Sequence, residues 1–323
     1  MKAPEPFWDR FWFAPTSLAT LAVVRIAFGL IMFLWGLAIA PDSLSFFSPH
    51  GVLPEHPATG TRWGLLALWN SDLAVVLVIA VLLVSAAALT VGFKARLGAL
   101  LAWVALISLT RRDPFAFNSG DAVLRNIALF LALSPCGEAL SLDRRRADRA
   151  SFWTFPHRAP WAMRLIQVQI SMGYLFTVWA KARGERWFGG TAVSESLRVD
   201  DLVRFGLPDA LTDSVLLANL LTFGTLLVEL ALALLIWNRR WRPYVIVAGI
   251  ALHLFIEMTF ALGFFSTVMI ASYLSFVPEE SMESFLGRVR TRMASSRFPA
   301  LRRLADTDGG PPAMPAQPEP LAG

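Results

Sequence analysis

The sequence predicts an all-α fold, a polytopic helix bundle with about eight transmembrane helices. Three observations carry that prediction. Hydrophobic residues make up 55% of the 323 positions and charged residues only 16%, less charge than a soluble surface needs. Mean hydropathy is +0.54. Several apolar runs approach the roughly 20 residues that span a hydrocarbon core, and runs of that length can satisfy their backbone in lipid only as helices. The single cysteine, Cys136, excludes an internal disulfide and any CxxC redox or zinc motif.

The apolar runs fall at 17–40, 72–92, 96–110, 121–135, 163–181, 214–237, 242–258 and 263–277. Pro41, Pro114, Pro135 and Pro278 stand at their ends, where proline stops a helix. No small-residue cleavage site follows the first run, which is therefore expected to remain as a helix. With the N-terminus inside, thirteen Lys and Arg fall on the inner side and seven on the outer, so both termini are expected to be cytoplasmic. Met282, Phe285, Leu286, Val289 and Met293 share a helical face opposite arginines, the pattern of an interfacial helix. The expected organisation is a membrane domain over 1–278, an amphipathic interfacial helix over 279–305, and a disordered tail over 306–323. The formal charge of +5 sits in loops and tail, which points to membrane lipids and not to nucleic acid. No internal repeat argues for a transporter.

The compact polar stretches FFSPHGVLP (46–54), RRDPFAFNSGD (111–121) and KARGERWFGG (181–190) all fall on the outer side, so a site is expected to open outward. Arg25 and Glu229 lie at similar depths from the inner side, and a lone charge in lipid is costly, so they are expected to form a structural ion pair. Asp121 and Arg125 are spaced i, i+4, as are His253 and Glu257; each pair shares a helix face. His253 and Glu257 could be half of a metal site, but no further ligands accompany them, and a hydrogen-bonded pair lining a cavity is the expectation. Lys181 has two readings, a flank anchor reaching for headgroups beside Trp179 and Trp187, or a base at the edge of an apolar cavity. In the second reading His253 joins Lys181 as a catalytic candidate, and Asn118, Asp121, Arg125, Glu257, His50 and Trp187 line the pocket.

Taken in order, Arg25, FFSPHGVLP, GFKARLGALLAW, RDPFAFNSGDAVLRNIALFLALSP, SLDRR, RLIQVQISMGYLFTVWAKARGERWFGGTAV, VELALALLIW and HLFIEMTFALGFFSTVMIASYLSF resemble the HTTM family. This multi-helix membrane domain is shared by vitamin K-dependent gamma-carboxylases and many bacterial proteins. In the carboxylases a lysine in the counterpart of YLFTVWAK is the base that activates vitamin K hydroquinone. The resemblance therefore implies that role for Lys181. It matches His253 to a family histidine and places Glu229 where the family has an acid. It further implies carboxylase/epoxidase-like, lyase-type chemistry in a cell or bacterial inner membrane, with a reduced quinone such as vitamin K hydroquinone as cofactor. Two positions depart from the carboxylases: Ala180 precedes Lys181 where they carry a second lysine, and Asn118, Ser119, Gly120 and Asp121 stand where they show a histidine. A second, non-catalytic reading makes the chain a membrane accessory factor for maturation of a secreted peptide.

Overall fold

The computed structural model describes residues 6–54, 64–205 and 213–305; the expected disordered tail lies outside them. The described chain is almost wholly helical. Its helices are α1 (Phe7–Phe13), α2 (Ala19–Ile39), α3 (Ser43–Phe47), α4 (Leu65–Leu68), α5 (Asp72–Val91), α6 (Ala95–Arg112), α7 (Ser119–Leu133), α8 (Leu142–Ala147), α9 (Trp161–Lys181), α10 (Glu185–Phe188), α11 (Ala192–Ser196), α12 (Val215–Leu234), α13 (Arg242–Thr259), α14 (Phe265–Ser272), α15 (Glu279–Ala294) and α16 (Pro299–Ala305). Two short strands, Thr16–Ser17 and His157–Arg158, pair antiparallel.

The eight apolar runs correspond to α2, α5, α6, α7, α9, α12, α13 and α14, the last extended by the 3-10 turn Tyr273–Phe276. Four are long and apolar enough to cross a membrane: Ala19–Ile39, Asp72–Val91, Val215–Trp237 and Arg242–Thr259. The others fall short for visible reasons. Arg96, Arg111 and Arg112 flank the apolar middle of α6, α7 has 15 residues, α9 carries Arg164, Gln167 and Lys181, and Phe265–Phe276 is a short apolar helix. Length and composition thus support four of the eight expected crossings.

Helix starts follow local chemistry. Ser71 accepts from the Ala74 amide and Asn118 from those of Gly120 and Asp121, satisfying donors that have no intrahelical partner. One core joins α2, α5, α6 and α7 through Phe28, Met32, Leu82, Leu106 and Leu124. A second joins α9, α12, α13 and α14 through Ile170, Leu232, Ile236, Val245 and Met269. Val123 of α7 packs against both. Large apolar side chains also cover the outside: Val84 is 71% exposed, Leu227 68% and Val247 66%. Such a continuous apolar exterior suits lipid and not water. On α15, Met282 and Leu286 are buried, while Phe285 of the same expected face stays exposed.

Arg25 corrects the expected ion pair. Its guanidinium donates from Nη1 to the carbonyls of Cys136 and Ala139, each at 3.1 Å, and from Nη2 to that of Leu140 at 2.7 Å. The side chain is fully buried. A planar fork of donors fits a turn of converging carbonyls, so a backbone loop compensates the charge and Glu229 is left to another partner.

Candidate functional site

Along α9, Tyr174, Thr177 and Lys181 follow one another at spacings of three and four, which puts them on one face. That face meets α12. The Lys181 ammonium donates to Glu229 Oε1 at 2.5 Å, and Thr177 Oγ1 lies 3.5 Å from Glu229 Oε2. The Glu229 side chain is 9% exposed and that of Lys181 25%. The lysine also lies 4.7 Å from the ring centroid of Trp187, on α10. Its amine therefore turns into the protein. Of the two readings of Lys181, the extended headgroup anchor does not describe this geometry.

Two turns deeper, the Tyr174 hydroxyl sits 2.7 Å from His253 Nε2 and 2.6 Å from the Tyr273 hydroxyl. All three side chains are buried. They come from α9, α13 and the turn after α14, and they bond to one another because lipid-facing helices offer no water. His253 Nδ1 is buried with no hydrogen-bond partner among the described residues. Gly249, one turn before His253, makes the arrangement possible, since a Cβ there would lie 2.7 Å from the Tyr273 hydroxyl.

Asn118 and Asp121 form a capping box at the start of α7. Asp121 Oδ1 accepts from the Trp35 indole at 2.8 Å, and Asn118 Nδ2 donates to the Leu262 carbonyl at 3.1 Å. Both line an open cleft of about 470 Å³ whose walls include Trp35, Phe46, Phe115, Phe117 and Phe264. The next residue after the lining Phe264 lies against both α7 and His253. Gly120 lets α7 approach the Phe265 backbone, where a Cβ would sit 2.9 Å from Phe265 Cα, and the Phe265 ring meets His253 edge to face at 5.4 Å between centroids.

The remaining expected residues go elsewhere. Glu257 pairs with Arg204 at 2.8 Å, so it does not join His253 in a shared polar pair; each found its own partner. Asp121 is held by its cap and Trp35, and Arg125 is half-buried without bonding to it. His50 lies 3.2 Å from Asp72 at the surface. The site as built therefore keeps Lys181, His253 and Trp187, adds Glu229 in a new role, and gains Thr177, Tyr174 and Tyr273. The tyrosines had a sequence signal: the chain has only three, and Tyr174 is two turns from Lys181.

Apolar helices around a buried polar cluster define an integral membrane protein. The HTTM domain family model matches residues 13–280, and the chain belongs to the HTTM family. Neither a curated protein nor a solved structure matches it.

Proposed function

We propose that the chain crosses the membrane eight times with both termini cytoplasmic, and that its outward half carries a proton-transfer site for a quinol or another lipid-soluble substrate. The observation that supports this reading best is the polar cluster itself. Lys181 and Glu229 form one proton-carrying pair, Tyr174, Tyr273 and His253 form a second group beside it, and apolar helices surround both.

The Lys181 amine is held against the Glu229 carboxylate. To act as a base it must first lose a proton, and Glu229 is the acceptor in contact with it. The neutral amine can then take a proton from a substrate hydroxyl, with Trp187 shielding one side. The aromatic cleft by Asn118 and Asp121 supplies a route for an apolar ring. In this reading the carboxylase-like chemistry of the resemblance is carried by Lys181, Glu229 and His253.

The test is to purify the protein in mild detergent and analyse its bound lipids by mass spectrometry. A quinone should co-purify at a stoichiometric level, and Lys181→Ala and Lys181→Arg should both abolish substrate deprotonation. A preparation free of quinone and of any other bound lipid-soluble compound, or full activity in Lys181→Arg, would overturn the reading.

A further inference from the structure

At the opposite end of the bundle from Lys181, a cavity of about 190 Å³ lies among the starts of α2 and α9, the turn before α13 and the start of α15. Its polar wall includes Ser17, Arg164, Gln167, Arg242 and Glu279. It shares Arg239, Arg242, Phe276, Val277, Pro278 and Glu280 with a neighbouring groove of about 460 Å³, whose further walls are Pro243, Ile246 and Ser281. A partly enclosed polar cavity and a more apolar trough therefore lie side by side.

The charges lining the cavity are not used up internally. Arg164 gives one Nη to Gln167 at 2.9 Å and Nε to the Phe11 carbonyl at 3.2 Å. Arg242 gives Nε to the Ile236 carbonyl at 2.8 Å and one Nη to that of Trp237 at 3.3 Å. Glu279 accepts from the Ser17 amide. Among the described residues, the Arg239 side chain and Glu280 make no hydrogen bond or ion pair, and none of the three arginines pairs with either glutamate. Three guanidinium groups and two carboxylates thus line one site with no direct ion pair between them among the described residues. Beside the groove, Tyr244 and Val247 are 69% and 66% exposed on the outer surface of α13.

We infer that this cleft binds a glycerophospholipid with a phosphoethanolamine headgroup. The phosphate meets the free guanidinium donors of Arg239 and Arg242, the geometry in which arginine binds phosphate best. The ammonium donates to Glu280 at the rim. One acyl chain lies along Ile246 and Phe276. A phosphoglycerol headgroup would offer Glu280 no cation, and a phosphocholine headgroup has no N–H to donate. This assignment rests on the membrane placement of α13 but not on the chemistry of Lys181.

The test is native mass spectrometry of delipidated protein offered an equimolar mixture of phosphatidylethanolamine, phosphatidylcholine and phosphatidylglycerol with identical acyl chains. Phosphatidylethanolamine should dominate the adducts. Arg239→Ala, whose exposed side chain holds no described element in place, should keep the wild-type melting temperature and bind that lipid about tenfold more weakly, the loss of one charge-assisted contact. Glu280→Gln should move the preference toward phosphatidylglycerol. Equal retention of the three lipids, unchanged retention in Arg239→Ala, or displacement by free phosphoethanolamine at concentrations matching the lipid would overturn the inference.

Discussion

The buried Arg25 and the partly buried Lys181 are compensated in different ways, and the difference is measurable. Arg25 leans on three backbone carbonyls, and Lys181 on one carboxylate. Arg25→Met leaves those carbonyls facing apolar surroundings and should cost about 3–5 kcal/mol, within the range for losing several buried polar contacts. Because Arg25 and Glu229 share no contact, Arg25→Met combined with Glu229→Gln should be additive in thermal unfolding. Non-additivity beyond about 0.5 kcal/mol would restore the ion pair expected from their depths. Lys181→Met should be costly for the opposite reason, since it strands a carboxylate that is 9% exposed. Adding Glu229→Leu should recover much of that loss. A double variant no better than Lys181→Met alone would show that the two are not coupled.

At the scale of helices, the geometry of contact decides what pairs with what. Depth counted along a sequence treats every helix as upright and starting at the same level. Here Trp237, at the end of the α12 segment, bonds Ser171 in the middle of α9, so α12 is offset toward the Lys181 end of α9. That offset carries Glu229 up to Thr177 and Lys181 and away from Arg25. The apolar runs, the capping box at Asn118 and the proline stops were legible because they are local properties of chain and backbone. The partners of Glu229, Glu257 and Asp121 were not, because each depends on the relative height and rotation of two helices. Gly249 offers a test at this scale. Gly249→Ala should destabilise by about 1–3 kcal/mol through overpacking against the Tyr273 hydroxyl. In a Tyr273→Phe background the penalty should shrink, because the atom nearest the new methyl is gone. An equal penalty in both backgrounds would mean that Leu232, the other close neighbour, sets the cost.

For the whole molecule, the proposed eight crossings fix which residues face which compartment. Ala182 and Ala147 are both exposed and belong to opposite ends of the bundle. With the buried Cys136 replaced by alanine, Ala182→Cys should react with an impermeant thiol reagent on intact cells, and Ala147→Cys only after the membrane is opened. The reverse pattern would invert the orientation. The carbonyl cradle of Arg25 has a further consequence, for the birth of the protein. The acceptors lie 111 to 115 residues after the arginine, so a ribosome adding about 5–20 residues per second makes them on the order of 5–20 s later. Over that interval the first apolar helix carries a cation that no finished part of the chain can neutralise, a burden of several kcal/mol in the bilayer centre by the lower estimates. A nascent helix delayed by that burden would wait at the insertion machinery or at the membrane surface until the 136–140 turn arrives. Nascent chains stopped before that turn should accordingly remain extractable by alkali, and those stopped beyond it should resist.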